Sequence, residues 1–192
     1  MNPVCFKPGQ YMNLFVDTEK RPYIPITYNG NIIKFCIKSY DSVSSSQRLT
    51  SLYTKDKVVY LKGAFGNKYY NPSDDALICN SSTIKETTVL MFSCGTGITP
   101  FYSILSNLNT NTRYNFKLFA SFRTSDEAHL TSGLSSDVDL FISMDGNRIT
   151  ADIITKHIVS LEDVIVLICG TTGYNNMVTE ICHKYGKMYY IF

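Results

Sequence analysis

Two glycines follow a short apolar run in the middle of the chain, an arrangement suited to holding a phosphate group. The run Val89–Ser93 has the length and composition of a buried β-strand, and Gly95 and Gly97 come within four residues of its end. Thr99 and Pro100 then form a helix-start signal, a side-chain cap before a residue pre-set for the first helical turn. Helix N–H groups attract anions, and glycines let the main chain approach a ligand. The sequence therefore predicts a phosphate cradle.

The glycine spacing leaves a second interpretation open. The dinucleotide-binding fingerprint has three glycines, and Pro100 stands where the third would be. Alternatively, the turn needs glycine only for its backbone angles and binds no ligand. Nucleotide binding is therefore a hypothesis that needs support from other residues.

Composition and charge narrow the class of protein. The chain has 192 residues and a net charge of +2, without a basic run that would favour a nucleic-acid partner. Its six cysteines are scattered, and none has the spacing of a zinc or iron–sulfur site, so no metal is predicted and reduced thiols of a cytoplasmic protein are expected. We also expect no signal peptide and no transmembrane segment, with membrane association only through a partner.

The first part of the chain has the pattern of β structure. Runs of aromatic and β-branched residues are separated by turn-forming residues. No long helix is predicted before about residue 83, and one short helix is considered near Gln47–Tyr53. The predicted strands are Tyr11–Val16, Ile32–Tyr40 and Lys57–Leu61. An antiparallel sheet or barrel is the expected architecture.

Strands and helices alternate in the second part, which is typical of a parallel sheet with helices on both faces. The predicted strands are Val89–Ser93, Phe116–Phe122, Val138–Met144, Val164–Cys169 and Met188–Phe192. The predicted helices are Pro100–Leu108, Thr150–Val159 with Thr150 as its cap, and Asn175–Tyr185. The predicted fold class is therefore two-domain, an antiparallel β-barrel in residues 1–83 followed by a parallel-sheet α/β domain in residues 84–192.

Four short motifs, in this order along the chain, resemble a known family. They are Arg21 to Thr27, Gly63 to Gly66, Ser93 to Pro100, and the pair Cys169 and Gly170, and the last residue is the aromatic Phe192. On these motifs the sequence is identified as a member of the ferredoxin reductase-like flavoprotein superfamily, and it is most similar to the NADH-cytochrome b5 reductases. The resemblance runs from about Pro8 to the C-terminus.

The resemblance implies that the first domain binds FAD. Arg21 would hold the flavin pyrophosphate and Tyr23 would stack on the isoalloxazine, roles that suit a forked cation and a rigid ring. A lysine at the position of Lys38 lies near the flavin and the nucleotide in the family, and its alternative is a solvent-facing strand residue. The other residues implied at the flavin are Pro22, Ile24, Tyr40, Thr50, Gly63, Gly66 and Thr99.

The resemblance also implies that the second domain binds NADH. Thr99 would cap the helix and bond the flavin, and Cys169 has the alternative of a plain core thiol. A carboxylate at Asp126 or Glu127 would accept hydrogen bonds from the adenosine ribose and favour NADH, whereas Arg123 leaves NADPH open. The residues implied at the coenzyme are Gly95, Thr96, Gly97, Cys169, Gly170 and Phe192.

Three departures from the family pattern bear on the cofactor sites. Ile24 stands where the family usually has threonine or serine at the flavin edge. The segment Thr171–Tyr174 replaces a proline-rich loop near the nicotinamide. The family usually has about two strands before the Pro8–Gln10 segment, so the flavin barrel is expected to be N-terminally shortened and to hold FAD less well.

The implied function is that of a flavin-dependent oxidoreductase. It would pass electrons from NADH through FAD to cytochrome b5 or a similar haem protein, with no side chain acting as acid or base and with Tyr23 and Cys169 near the redox centre. Two alternatives stay open: the same module serving a ferric chelate, a quinone or an oxygenase, and a degenerate scaffold without activity. Candidate contacts for an acidic haem partner are Lys7, Lys20, Lys62 and Lys68.

Overall fold

The first part of the chain forms three small antiparallel sheets. The structure, a computed structural model, describes residues 6–16, 19–29, 32–39, 46–47, 59–134 and 137–192. Its first strands are β1 Tyr11–Val16, β2 Glu19–Tyr23, β3 Pro25–Tyr28, β4 Ile33–Phe35, β5 Tyr60–Phe65, β6 Lys68–Asn71, β7 Ala76–Cys79 and β8 Ser82–Thr83. The sheets have the orders β2-β1-β5, β3-β4 and β6-β7-β8. The predicted antiparallel architecture of this part is confirmed.

The predicted strands of this part differ in how well they match. The strand predicted at Tyr11–Val16 is confirmed as β1. The strand predicted at Ile32–Tyr40 is too long, because only β4 forms, residues 36–39 have no regular structure and residue 40 lies outside the described ranges. The strand predicted at Lys57–Leu61 overlaps the start of β5, and its residues 57–58 are not described. Of the helix considered near Gln47–Tyr53, only residue 47 is described, with helical backbone.

The second part of the chain is an α/β unit with one parallel sheet. Its strands are β9 Thr88–Cys94, β10 Asn115–Phe122, β11 Asp137–Ile142, β12 Val164–Cys169 and β13 Met188–Ile191. Its α-helices are α1 Thr99–Leu105, α2 Ala151–Val159 and α3 Thr172–Lys184, and short 3-10 turns cover Gly95–Ile98, Ser125–Ala128, Thr131–Gly133 and Ser143–Asp145. The sheet order is β11-β10-β9-β12-β13, and every pair is parallel. The division of the chain at residues 83 and 84 stays a prediction.

The five strands predicted in this part are confirmed to within two residues at each end. The helices fit less closely, because α1 ends three residues before Leu108 and α3 begins three residues before Asn175. Both differences lie at helix ends, where hydrophobic periodicity gives little information.

Apolar residues from alternate positions of the parallel strands pack on opposite faces of the sheet. On one face Met91 and Leu118 pack with Phe101 of α1 in a cluster that also includes Tyr70 and Leu77 of the antiparallel part. On the other face the cluster contains residues of α2 and α3. Helices therefore cover both faces, as predicted, and the antiparallel part shares a core with α1.

The side chain of Thr150 begins α2 as predicted. Its Oγ1 accepts a hydrogen bond from the Ile153 N–H at 3.3 Å. We expect Thr150→Ala to lower the free energy of unfolding by about 1 kcal/mol, the usual effect of losing a side-chain cap, as measured by urea denaturation. The matched control is Thr171→Ala, because Thr171 precedes α3 without a side-chain cap bond. An equal loss in both variants would contradict the capping role.

Candidate functional site

The loops after β9 and β12 touch each other at the carboxyl end of the parallel sheet. A Cβ placed on Gly97 would lie 2.0 Å from the carbonyl oxygen of Cys169. A Cβ on Gly170 would lie 2.9 Å from the Cβ of Cys94. Because β9 and β12 are adjacent while their chain connections leave in opposite directions, this contact marks the switch point of the sheet, where such folds bind ligands. Position 97 must therefore be glycine, because any side chain there would collide with the backbone of Cys169.

Gly95 has a different reason to be glycine. Its φ is +58°, in the left-handed region, and a Cβ placed on it would meet no atom within 4 Å. The backbone conformation therefore favours glycine, while the space above the residue is open. The glycines therefore satisfy backbone needs and also leave an open face, so both sequence interpretations of the turn are compatible with the structure and phosphate binding stays a prediction.

The predicted cap at Thr99 is wrong. Thr99 is the first residue of α1, Ile98 is the N-cap, and no side chain caps the helix. The Thr99 hydroxyl instead donates to the Thr96 carbonyl at 3.0 Å, which fastens the helix start to the 3-10 turn. The inserted 3-10 turn is the physical reason, because it places Thr99 inside the first helical turn rather than before it.

A cavity of about 370 Å³ lies at the switch point. It brings together all five residues predicted at the coenzyme loops with Lys38 from the antiparallel part. Two cations, Lys38 and Arg123, border it, and Glu127 is the one carboxylate among its described lining residues. The predicted loop residues in its wall are Gly95, Thr96, Gly97, Cys169 and Gly170.

Lys38 and Glu127 form an ion pair between the two parts of the chain. The Lys38 Nζ donates to the Glu127 Oε1 at 2.7 Å, and the other carboxylate oxygen accepts from the Arg123 N–H at 3.3 Å. The hydrogen bond from Lys38 lowers the pKa of Glu127 below its usual value, against the smaller opposing effect of burial. Lys38 is therefore not a plain solvent-facing residue.

The Lys38–Glu127 pair should make stability depend on pH in the acid range. Because the folded-state pKa lies below the ordinary value of 4.5, the contribution is complete above about pH 4.5 and is lost as the pH falls through the folded-state pKa. Both side chains are partly exposed, so we expect Glu127→Gln to cost only about 0.5 kcal/mol at pH 7 and nothing at pH 2. Urea denaturation at both pH values, with exposed Glu180→Gln as control, measures this. An equal cost at both pH values would contradict the pairing.

The two cysteines beside the cavity are poor nucleophiles. Burial raises the pKa of Cys169 to about 12, and burial also raises the pKa of Cys94. Both remain neutral thiols at neutral pH. Cys169 packs against the core cluster that contains Met91, Leu118 and Phe101 of α1. The alternative of Cys169 as a core thiol is therefore compatible with a place in the cavity wall.

A second cavity of about 370 Å³ lies between the antiparallel part and the C-terminus. Ile24 and Phe192 both line it, together with Gly9, Tyr11 and Gly66. A Cβ on Gly9 would come within 3.3 Å of the Phe192 ring. Its aromatic and apolar side chains, those of Tyr11, Ile24 and Phe192, suit a planar ring system such as that of FAD, and the polar residues Asn67 and Lys68 complete the lining.

The other residues predicted at the flavin lie on β2 and nearby. Arg21 is largely exposed, with an Nη atom 3.7 Å from Glu19, and the half-buried Tyr23 contacts the Phe35 ring edge to face at 6.5 Å between centroids. Pro22 of β2 lies opposite Asn13 of the neighbouring strand β1. An exposed arginine and a half-buried tyrosine on one strand suit a pyrophosphate and a ring.

Four further predicted residues are placed as follows. Gly63 packs on Met12, since a Cβ there would lie 3.0 Å from the methionine side chain. Thr99 is buried at the start of α1. Tyr40 and Thr50 lie outside the described residues, so their flavin contacts stay predictions.

The largest of these cavities, about 650 Å³, includes residues that the sequence did not single out. It lies beside the switch point, where β10 and β11 end and α3 begins. A signal was present in the sequence, because Ser121 interrupts the apolar pattern near the end of β10. The unpredicted lining residues with hydrogen-bonding side chains are Ser121, Ser143, Asn147 and Arg148, and Thr171 and Tyr174 of the segment expected near the nicotinamide also line this cavity.

The part of the chain that the structure describes has neither a candidate metal centre nor a membrane-spanning helix. No group of three or more His, Cys, Asp or Glu side chains there could hold a metal ion. No helix there is both long enough and apolar enough to span a membrane.

The chain is similar to solved structures over nearly its whole length. The cytochrome b5 reductase domain of Ulva prolifera nitrate reductase has a TM-score of 0.71 and 19% identity, covering 99% of this chain and 86% of that one. A mutant ferredoxin-NADP+ reductase from Plasmodium falciparum, in complex with 2'P-AMP, has a TM-score of 0.69 and 16% identity, covering 98% and 84%. The chain has the ferredoxin reductase-like fold. The predicted fold class is thereby confirmed.

The ferredoxin reductase-like fold also occurs in longer proteins. The ferredoxin reductase in carbazole 1,9a-dioxygenase has a TM-score of 0.74 and 16% identity, and this chain covers only 60% of it. No family model and no curated protein matches the chain. At these identities the similarity concerns the fold alone.

Proposed function

We propose that the chain is a flavin-dependent oxidoreductase that takes a hydride from a reduced nicotinamide dinucleotide and passes electrons to a one-electron acceptor. The observation that carries the proposal is the cavity at the switch point, where Lys38 and Arg123 meet the loops of Gly95 and Cys169. Cations and open backbone at this position suit a dinucleotide pyrophosphate. The fold that the chain shares with a cytochrome b5 reductase domain supports the same proposal.

In this proposal the antiparallel part holds FAD. FAD, when bound, supplies the hydride-accepting ring and the capacity to release electrons singly. Arg21 binds the pyrophosphate, Tyr23 stacks on the ring, and Ile24 and Phe192 border the space for the ring edge. Ile24 offers only its backbone for hydrogen bonding where a hydroxyl is usual in the family, so the flavin edge is less polar here.

The switch-point cavity holds the coenzyme in this proposal. Gly95 leaves open space for the pyrophosphate, and Lys38 brings a cation of the antiparallel part to the same cavity. Cys169 contributes a neutral thiol beside the nicotinamide, which excludes water without reacting. NADH was predicted from Asp126 or Glu127, and Glu127 is already paired with Lys38.

The proposed acceptor is cytochrome b5 or a similar haem protein. The candidate lysines lie in the antiparallel part, and Lys68 borders the cavity that Phe192 lines. Lysines at the rim would attract an acidic partner and raise the association rate. A cytoplasmic location stays a prediction.

The function is tested by coenzyme oxidation with defined acceptors. The full chain is supplied with FAD, and NADH or NADPH oxidation is followed with ferricyanide, cytochrome b5 and a quinone in turn. We expect turnover with ferricyanide and with cytochrome b5. Turnover with ferricyanide and the quinone but not with cytochrome b5 would mean that the proposed acceptor is wrong and that a quinone takes its place. No turnover with any acceptor would favour a scaffold without activity and would overturn the proposal.

A further inference from the structure

The 650 Å³ cavity is continuous with the proposed coenzyme site. It shares four lining residues with the switch-point cavity: Cys94, Phe122, Arg123 and Thr171. An elongated ligand whose pyrophosphate lies at Gly95 therefore has room for one of its ends in this larger space. Which end of the ligand enters the larger cavity depends on the charge and the hydrogen-bonding groups of the residues that line it.

The wall of this cavity is cationic. Arg123 and Arg148 line it, and no aspartate or glutamate occurs among its described lining residues. Both arginines are exposed, and in the described part of the chain neither guanidinium makes an ion pair or a side-chain hydrogen bond. Two unpaired guanidinium groups around one space are suited to a phosphate monoester, which accepts several charge-assisted hydrogen bonds.

Two buried hydroxyl groups in the same wall lack completed hydrogen bonds. Ser121 Oγ and Tyr174 OH belong to residues that are each only 9% exposed, and neither has a partner of ordinary geometry among the described residues. The two hydroxyl groups lie near each other, and the contact with Ser121 opposes the rise in the pKa of Tyr174 that burial causes, so each has at most the other as a weak partner. Buried polar groups are normally satisfied, so a ligand with ribose or phosphate oxygens would supply the missing partners.

The carboxylates on which the NADH prediction depended lie outside the 650 Å³ cavity, although Glu127 also lines the switch-point cavity. Asp126 and Glu127 line a smaller cavity of about 190 Å³ that also contains Cys36 and His129. The Lys38 ammonium group holds Glu127 on that side at 2.7 Å. Neither carboxylate lines the space that would receive the adenosine ribose, so neither is placed to repel a phosphate there.

We propose that the 650 Å³ cavity binds a 2'-phosphorylated adenosine and that Arg123 and Arg148 make the chain prefer NADPH to NADH. This inference rests on the proposed function and reverses the coenzyme preference that the sequence predicted. Arg148 belongs to the loop before α2, so the selectivity depends on a residue outside the motifs of the resemblance.

The inference is tested by calorimetric titration of the full chain with adenosine 2',5'-bisphosphate and with 5'-AMP. These probes differ by the single phosphate in question and need no flavin. We expect the bisphosphate to bind at least about tenfold more tightly to the wild-type chain. Equal affinity for the two probes, or no binding of either, would overturn the inference.

Substitutions identify the residues that distinguish the bisphosphate from 5'-AMP. Arg148→Gln should weaken bisphosphate binding about tenfold and leave 5'-AMP binding within about threefold. Arg123→Gln should weaken the binding of both probes, because Arg123 also borders the switch-point cavity. Lys156→Gln, an exposed charge loss on α2, should change neither affinity. Asp126→Asn, at a carboxylate that lines neither the switch-point cavity nor the 650 Å³ cavity, should also leave both affinities unchanged, whereas weaker 5'-AMP binding in that variant would restore the carboxylate as the ribose ligand. Thermal melting confirms that each variant is folded.

Failure of this inference can be distinguished from failure of the proposed function. If NADH and NADPH reduce the flavin of the loaded chain equally fast, the oxidoreductase function stands and the selectivity is wrong. If neither coenzyme reduces it, the function itself fails, whatever the calorimetry of the adenosine probes shows.

Discussion

Gly97→Ala is expected to lower the free energy of unfolding by about 3 kcal/mol and to abolish coenzyme binding. The added Cβ would lie 2.0 Å from the Cys169 carbonyl oxygen and 2.5 Å from its carbon, and these are backbone atoms that cannot rotate away. The loops after β9 and β12 must separate, an overpacking cost at the upper end of the usual range. Urea denaturation and titration with NADPH measure the two effects.

Gly173→Ala is the matched control for this prediction. Gly173 lies in the first turn of α3, and a Cβ placed on it meets nothing within 4 Å. Since alanine favours helix more than glycine does, this variant should keep or gain stability, by up to about 1 kcal/mol. A Gly97→Ala chain as stable as Gly173→Ala would contradict the close approach of the two loops.

Tyr23→Ala is expected to weaken FAD binding about 30-fold with little loss of stability. Burying a tyrosine ring against a flavin contributes about 2 kcal/mol, which corresponds to that factor. In the folded chain Tyr23 is only half-buried and contacts Phe35 edge to face, so its removal should leave the core intact. Quenching of flavin fluorescence on titration measures the affinity.

The control for the flavin prediction is Tyr60→Ala. Tyr60 lies on β5 in the same antiparallel part and is 72% exposed. This variant should bind FAD as the wild-type chain does. Equal FAD affinity in Tyr23→Ala and wild type would mean that the ring of Tyr23 does not contact the flavin.

The parallel sheet could be predicted because its signals are local. Val89–Ser93 and Val164–Cys169 are continuous apolar runs, and both became central strands buried on two faces. Thr150 capped its helix because capping depends on residues three apart. Hydrophobic periodicity and caps act within one element, so one sequence is enough to read them.

The contacts that build the site depend on distant residues and could not be predicted in detail. Lys38 and Glu127 are 89 residues apart. The strand predicted at Ile32–Tyr40 stops after Phe35, and Cys36 and Lys38 instead contact His129 and Glu127 of the α/β part. A run that looks like one strand thus ends where its side chains meet another part of the chain.

The proposed role of Arg148 in ligand binding could not be predicted from the sequence either. No motif marks it, because its relevance arises only when the loop before α2 meets the end of β10 around one cavity. The motif residues Gly95, Gly97 and Cys169 were predicted as one site, and the structure brings them together. Their roles in cofactor binding stay proposals.

The most direct test of the central claim is the visible absorption spectrum of the FAD-loaded chain before and after anaerobic addition of NADPH, with NADH in parallel. We expect flavin bands from about 350 to 500 nm that bleach on addition of coenzyme, because the two cofactors meet at the switch point of the sheet. A chain that takes up no FAD, or whose bound flavin neither coenzyme bleaches, would contradict the account.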